Sequence, residues 1–162
     1  MTGPQAGEPA KHPPLVPSLA DHGALAMTED ELRDWGRRFG RSARAPLVVT
    51  LSGDLGAGKT TLVQAICEGY GVTTDVTSPT FALVNEYQAP RSAVHHIDLY
   101  RLDRPDQLAA LGWDELIGGR ALVLVEWPER AGDQLPPGRV TLSLQHLPDD
   151  PHRRLFYAGW HQ

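Results

Sequence analysis

Two stretches of the chain are apolar almost without a break, and two pairs of stretches alternate apolar with polar residues. Residues 47–51 (Leu-Val-Val-Thr-Leu) and 121–125 (Ala-Leu-Val-Leu-Val) are short and rich in branched aliphatic side chains, as in strands buried on both faces of a parallel sheet. Residues 81–87 and 93–100 read as two strands joined by a turn at 89–92 (Ala-Pro-Arg-Ser), an antiparallel hairpin. Residues 139–146 and 153–160 alternate on either side of Pro148-Asp149-Asp150-Pro151, which predicts a second hairpin, placed at the edge of the sheet.

Helical spacing fills the gaps between these strands. Leu32, Trp35 and Phe39 form an apolar stripe behind Thr28, whose partner Glu31 completes a capping box and whose predecessor Met27 can staple onto Leu32. Leu62, Val63, Ile66 and Tyr70 share a second helical face, with Gly69 or Gly71 available to stop the helix. Asp103 with Pro105 opens a short helix carrying Leu108 and Leu111, and 113–117 forms another turn halted by Gly118-Gly119. Together these elements predict an α/β fold, a three-layer sandwich with a mixed central sheet flanked by helices. Residues 1–24 are set apart by Pro4, Pro9, Pro13, Pro14 and Pro17 and by low apolar content. They predict a disordered tail before one domain spanning 25–162.

Composition narrows the classes of function. With 162 residues, 41% hydrophobic and 22% charged, the chain holds one domain with a core and no room for a second. A net charge of −5 and the lack of a Lys/Arg block argue against a protein that grips DNA or RNA by itself, so any RNA contact is expected through a partner. Cys67 is the only cysteine, which rules out an intramolecular disulfide and suits a reducing compartment; inside a helix it reads as packing. No signal peptide is visible and the longest aliphatic run is far too short to span a bilayer, so a cytoplasmic protein without a membrane partner is expected.

The candidate chemistry lies between the first buried strand and its helix. Residues 53–60 read Gly-Asp-Leu-Gly-Ala-Gly-Lys-Thr and fit the phosphate-binding loop pattern at every required position. Gly53, Gly56 and Gly58 let backbone N–H groups turn inward around a pyrophosphate, Lys59 can reach the β/γ-phosphates, and Thr60 offers a hydroxyl to Mg²⁺. A chain of this length meets the pattern by chance well under ~1% of the time, and strand, loop and helix follow one another as the motif requires. That context predicts a P-loop NTPase fold.

Such a loop leaves the metal half served, and two strand-end carboxylates compete to complete it. Glu126 follows the aliphatic run directly and is the better match by pattern; Asp98, in His96-Ile97-Asp98-Leu99-Tyr100-Arg101, has the denser functional neighbourhood. Either could bind Mg²⁺ while the other orients the attacking water. The plain alternatives are a surface pair of Asp98 with Arg101 and a strand-end charge at Glu126. Neither accounts for the aromatic neighbours of both carboxylates, and Pro128 should fix the chain leaving Glu126 by restricting Trp127. Residues 77–81 (Thr-Ser-Pro-Thr-Phe) occupy the slot of a switch that approaches Mg²⁺ and the γ-phosphate, or form an ordinary Ser-Pro turn. His95 and His96 face opposite sides of a strand, and only His96 could serve the site as a hydrogen-bond partner.

Residues 53–61, 77–81, 96–101 and Glu126-Trp127-Pro128-Glu129 resemble, in this order, the motifs of the TsaE family, bacterial ATPase subunits for threonylcarbamoyl modification of tRNA. The likeness covers about residues 28–160. It implies a weak ATPase that works with the TsaB–TsaD pair, which places the threonylcarbamoyl group on the adenosine beside the anticodon, so that tRNA is met only through partners. On that analogy Gly53, Asp54, Leu55, Gly56, Ala57, Gly58, Lys59, Thr60 and Thr61 bind ATP or ADP. Thr60, Asp98 and Glu126 serve Mg²⁺; Glu126 alternatively orients water; Thr80 is the switch hydroxyl, so that Lys59, Glu126 and Thr80 carry catalysis. Trp127 would flank the nucleotide or a partner surface, and Arg153 or Arg154 could approach the nucleotide. Rival readings are a small-molecule P-loop kinase, which would need an acceptor pocket and an arginine-bearing lid, and a nucleotide-gated binding module without useful turnover. A GTPase is disfavoured because no Asn-Lys-x-Asp signature occurs.

Overall fold

The computed structural model describes residues 24–54, 56–79 and 83–161. The predicted tail lies outside these residues except for Ala24, and so do Leu55, Thr80 and Phe81 of the predicted motifs. Among the described residues seven strands form one sheet in the order β1-β7-β6-β2-β5-β4-β3. They are β1 (Ala24–Thr28), β2 (Leu47–Gly53), β3 (Val84–Gln88), β4 (Ala93–Asp98), β5 (Leu122–Glu126), β6 (Arg139–His146) and β7 (Arg153–His161). The helices are α1 (Glu29–Ser42), α2 (Lys59–Tyr70) and α3 (Trp113–Gly118), with 3₁₀ segments at Pro105–Leu111 and Pro128–Gln134.

The two aliphatic runs are the centre of the sheet. β2 pairs in parallel with β5 and with β6, and β5 pairs in parallel with β4. Every residue of β5 is buried. Both faces of these strands are covered: Val49, Leu51, Val94, Leu122 and Leu124 pack under α1 and α2, whereas Val48, Ile97, Val123 and Val125 pack under α3 and the 3₁₀ segments. This is the predicted three-layer arrangement with a mixed sheet. Both predicted hairpins form, β3 with β4 and β6 with β7.

The second hairpin does not sit at the edge. β6 lies against β2, and the outer side of β7 is covered by β1, which runs antiparallel to it from Ala24↔Tyr157 to Thr28↔Arg153. β1 was missed because Ala-Leu-Ala-Met-Thr has little β-branching and abuts a helix cap. Its pairing comes entirely from a partner more than a hundred residues away. The cap itself forms as read: the Glu31 N–H donates to Thr28 Oγ1 (3.2 Å) and the Thr28 N–H to Glu31 Oε1 (3.0 Å).

α1 and α2 touch through glycines. A Cβ added at Gly40 would lie 2.2 Å from the Ile66 carbonyl oxygen, and one at Gly69 2.1 Å from the Arg37 carbonyl oxygen, so the two backbones are in direct contact. Gly69 therefore serves the helix–helix interface, and Gly71, at φ 105°, is the residue that ends α2. Trp35 anchors the layer below, stacked on Phe39 (5.0 Å between centroids) and edge-on to Phe156 (4.7 Å).

Two outcomes follow from this packing. Helix propensity alone favours Gly69→Ala by roughly 1 kcal/mol, but the backbone contact reverses the sign, and a net loss of about 1–3 kcal/mol is expected in urea unfolding; a more stable variant would refute the close interface. Cys67 is fully buried, and burial pushes its thiol from 9.0 up to about 12. The native protein at pH 8 should therefore resist a thiol reagent that labels it once unfolded. Because the folded value is the higher one, this group's contribution to stability is complete below pH 9 and declines as pH rises toward 12.

Candidate functional site

The parallel strands end together, and their ends make the site. β2 runs out at Gly53, where an added Cβ would meet the Leu144 carbonyl oxygen of β6 at 2.2 Å. The loop then turns back into α2 through Gly58, whose φ of 104° is open to glycine and strained for other residues. Within the loop the Ala57 N–H donates to the Asp54 carbonyl (3.1 Å), and the Leu62 N–H donates to the Gly58 carbonyl (3.0 Å) as the helix begins. The N-terminus of α2, whose first N–H groups have no partner within the helix and whose dipole end is positive, thus borders the cavity lined by Lys59, Thr60 and Thr61.

Lys59, only 6% exposed, folds over this loop. Its ammonium donates to the carbonyls of Gly53 and Asp54 (2.8 Å to the latter) and stands 4.3 Å from the centre of the Trp127 ring. Burial holds its pKa below the ordinary lysine value, partly offset by the negative charges of Glu126, Glu129, Asp98 and Asp54.

Asp98 and Glu126 both stand in this site. They are the last residues of β4 and β5 and lie in register on parallel strands, so their side chains leave the same face of the sheet next to each other. Glu126 is 3% exposed, and its Oε2 lies 2.6 Å from His96 Nε2. Asp98 is half-buried; its Oδ1 accepts from the Tyr100 N–H (3.0 Å), and burial, joined by the Glu126 charge, raises its pKa above the usual aspartate value. Its hydrogen-bond partner among the described residues is thus the Tyr100 backbone, not Arg101.

Trp127 departs from expectation. Pro128 should restrict it to extended backbone, yet Trp127 takes φ 57° and ψ 51°, in the left-handed region. Its N–H donates to the Leu51 carbonyl of β2 (3.3 Å), which holds the strand exit over the loop at a conformational cost of about 1–3 kcal/mol. Its ring meets that of Tyr100 at 5.0 Å between centroids.

The hydroxyl-rich segment also reaches the site. Ser78 Oγ lies 3.2 Å from Thr60 Oγ1. The preceding residues are pinned: Gln64 of α2 donates to the Val76 carbonyl (2.9 Å), while Tyr87 and Asn85 of β3 both donate to the Thr77 carbonyl. Thr80, the predicted switch hydroxyl, lies outside the described residues.

A cavity of about 340 Å³ is lined by Lys59, Thr60, Ser78, Asp98, Glu126 and Trp127, among others. Its hydroxyls and carboxylates are hard oxygen donors of the kind Mg²⁺ takes, and Mg²⁺ characteristically uses one or two carboxylates and completes its shell with water and substrate phosphates. The donor set fits that ion. A second cavity, about 560 Å³, is lined by Thr28, Asp30, Gly56, Ala57, Thr61, His152 and Arg154. Of the two arginines named from the sequence, Arg154 lines this cavity, while Arg153 pairs with Asp150 (3.3 Å). Sequence reasoning did not find the Ser78–Thr60 contact or the second cavity, and it offered His96 as a hydrogen-bond partner of the site without naming Glu126 as the group it meets. That bond had a signal in the spacing of His96 and Asp98, two residues apart on one strand face.

Known proteins resemble this chain in sequence and in overall fold. The sequence model described as "Threonylcarbamoyl adenosine biosynthesis protein TsaE" matches residues 26–155. The chain is 40% identical over 111 residues to the tRNA threonylcarbamoyladenosine biosynthesis protein TsaE of Bacillus subtilis, covering 68% of this chain and 69% of the relative. It is 38% identical over 125 residues to the protein of the same name from Treponema pallidum, covering 77% and 92%. The crystal structure of YdiB from Bacillus subtilis superposes with a TM-score of 0.69 at 30% identity, covering 84% of this chain and 85% of that one.

Proposed function

The chain belongs to the TsaE family, and from that premise we propose that it binds ATP and ADP with Mg²⁺ and hydrolyses ATP slowly, in the service of tRNA threonylcarbamoylation by the TsaB–TsaD complex. The observation that carries this reading is the convergence of Lys59, Thr60, Asp98 and Glu126 on one cavity above the ends of β2, β4 and β5. No other role so readily accounts for a buried lysine between a glycine loop and two carboxylates.

In this reading the loop N–H groups from Gly53 to Thr61 and the ammonium of Lys59 hold the phosphates. Lys59 now spends its hydrogen bonds on the Gly53 and Asp54 carbonyls; an entering phosphate takes them over, and a buried ammonium binds that charge more strongly than an exposed one would. Thr60 and Asp98 would hold Mg²⁺, which would supply neutralisation of the charge building on the phosphate oxygens. The carboxylate of Glu126 orients the attacking water and accepts its proton. Ser78, whose Oγ lies 3.2 Å from Thr60 Oγ1, and Thr80, two positions later in the sequence, are proposed as switch hydroxyls, and the larger cavity with Arg154 would take the nucleoside.

The tRNA side of the proposal rests on the names of the relatives, which are tRNA threonylcarbamoyladenosine biosynthesis proteins. A net charge of −5 supports contact with tRNA through partners and not by this chain alone. The working unit is proposed as residues 25–162, acting in the cytoplasm. Among the described residues no helix is long and apolar enough to cross a membrane.

Two experiments test this. In nucleotide titration, Lys59→Ala should weaken Mg²⁺–ATP binding by at least about 100-fold. Glu126→Ala should bind within a few-fold of the natural chain and lose hydrolysis by about 10²–10⁴-fold; normal hydrolysis by Glu126→Ala would remove that residue from its role. ATP turnover should rise when TsaB and TsaD are added. Equal turnover with and without them counts against the partnership, and phosphate appearing on a metabolite instead of in water would favour the kinase reading.

A further inference from the structure

His96 occupies a place in the sheet that the rest of its row gives to aliphatic side chains. Val94, His96 and Asp98 leave one face of β4, in register with Leu122, Leu124 and Glu126 of β5, and Val94, Leu122 and Leu124 belong to the core under α1 and α2. His96 has no exposed surface. An imidazole at such a position loses its hydration and is retained at a cost unless a partner compensates. Its partner is Glu126 Oε2, at 2.6 Å, a short contact of the charge-assisted kind. The other ring nitrogen, Nδ1, has no hydrogen-bond partner among the described residues. The ring is therefore steered by core packing and committed through Nε2 to one atom.

Glu126 is the carboxylate this commitment controls. Its side chain has three rotatable torsions and ends in the cavity it shares with Lys59, Thr60 and Asp98, so an untethered carboxylate could swing onto the Lys59 ammonium. A carboxylate only accepts hydrogen bonds, so the Nε2–H of His96 donates and occupies Oε2. Oε1 is left to act on whatever lies in the cavity. We propose that His96 is a positioning residue for nucleotide hydrolysis, holding the Glu126 carboxylate in its working orientation by the Nε2–Oε2 bond. The proposal rests on the hydrolytic reading of the site.

The test uses the full chain with TsaB and TsaD and three substitutions. His96→Gln puts an amide N–H where Nε2 stands, His96→Asn puts one only where Nδ1 stands, and His96→Leu removes both. Expected are a 10- to 100-fold fall in kcat for His96→Leu and His96→Asn, a Kd for Mg²⁺–ADP within about threefold of the natural chain in all three, and recovery of kcat to within about threefold in His96→Gln. Melting temperatures identify variants that fail for lack of folding. Wild-type kcat in a folded His96→Leu overturns the proposal. So does a folded His96→Gln as impaired as His96→Leu, since packing alone would then explain the histidine. Crystal structures of the same variants separate this inference from the reading beneath it. If the natural chain does not hydrolyse ATP, the hydrolytic reading fails and the catalytic role falls with it, whereas a Glu126 carboxylate displaced in His96→Leu and restored in His96→Gln still establishes the tether. A Glu126 unmoved in His96→Leu overturns the tether whatever the turnover.

Discussion

The common register of the parallel strands β2, β5 and β4 is the constraint on which the site depends. Backbone pairing sets Leu51 beside Glu126 and Glu126 beside Asp98, and the hydrogen bonding continues past the strand ends: the Trp127 N–H reaches the Leu51 carbonyl and the Leu99 N–H reaches the Glu126 carbonyl. A shift of one residue in β4 or β5 would turn its carboxylate to the opposite face, away from the loop. Both faces of these strands are buried, so such a shift would exchange side chains between two differently packed cores and carry a carboxylate into the core under α3 without a partner, which is costly. Thus the same side chains that stabilise the sheet also fix the positions of the two acids.

Around that frame the electrostatics are arranged to be completed from outside. A buried lysine sits among Glu126, Glu129, Asp98 and Asp54, its pKa held down by burial and only partly restored by those charges. Asp98 is pushed the other way by burial and by Glu126. Lys59 finds its partners in loop carbonyls and in the face of Trp127, neutral groups that compensate an ammonium less fully than an anion does. A phosphate chain carrying a divalent cation relieves both imbalances at once, which is the physical content of the proposed ligand.

Local conformation is used in the same way. Gly58 in the left-handed region turns the loop so that α2 points its N-terminus at the site, and Trp127, in that region despite its Cβ and the following proline, brings the exit of β5 across the loop. Strain of this kind persists where surrounding structure over-determines it. Here the restraints are a hydrogen bond to β2, the Tyr100 ring and the Lys59 ammonium.

The sequence by itself determined the elements whose pattern is local: the capping box at Thr28 and Glu31, the glycine loop from 53 to 60, the aliphatic cores of β2 and β5, and both hairpins. It also determined the candidate acids, since Asp98 and Glu126 close recognisable strands. These are legible because hydrophobic period, cap chemistry and turn residues act over a few positions of chain. Tertiary structure alone decided that β1 covers β7, that β6 is an inner strand, that Gly69 is a contact between helices, and that Ser78 reaches Thr60 and His96 reaches Glu126. Each of these depends on two segments far apart in sequence meeting with a given register or separation. No local pattern encodes such a meeting, because it is selected by the packing energy of the whole sheet and not by the residues that make the contact.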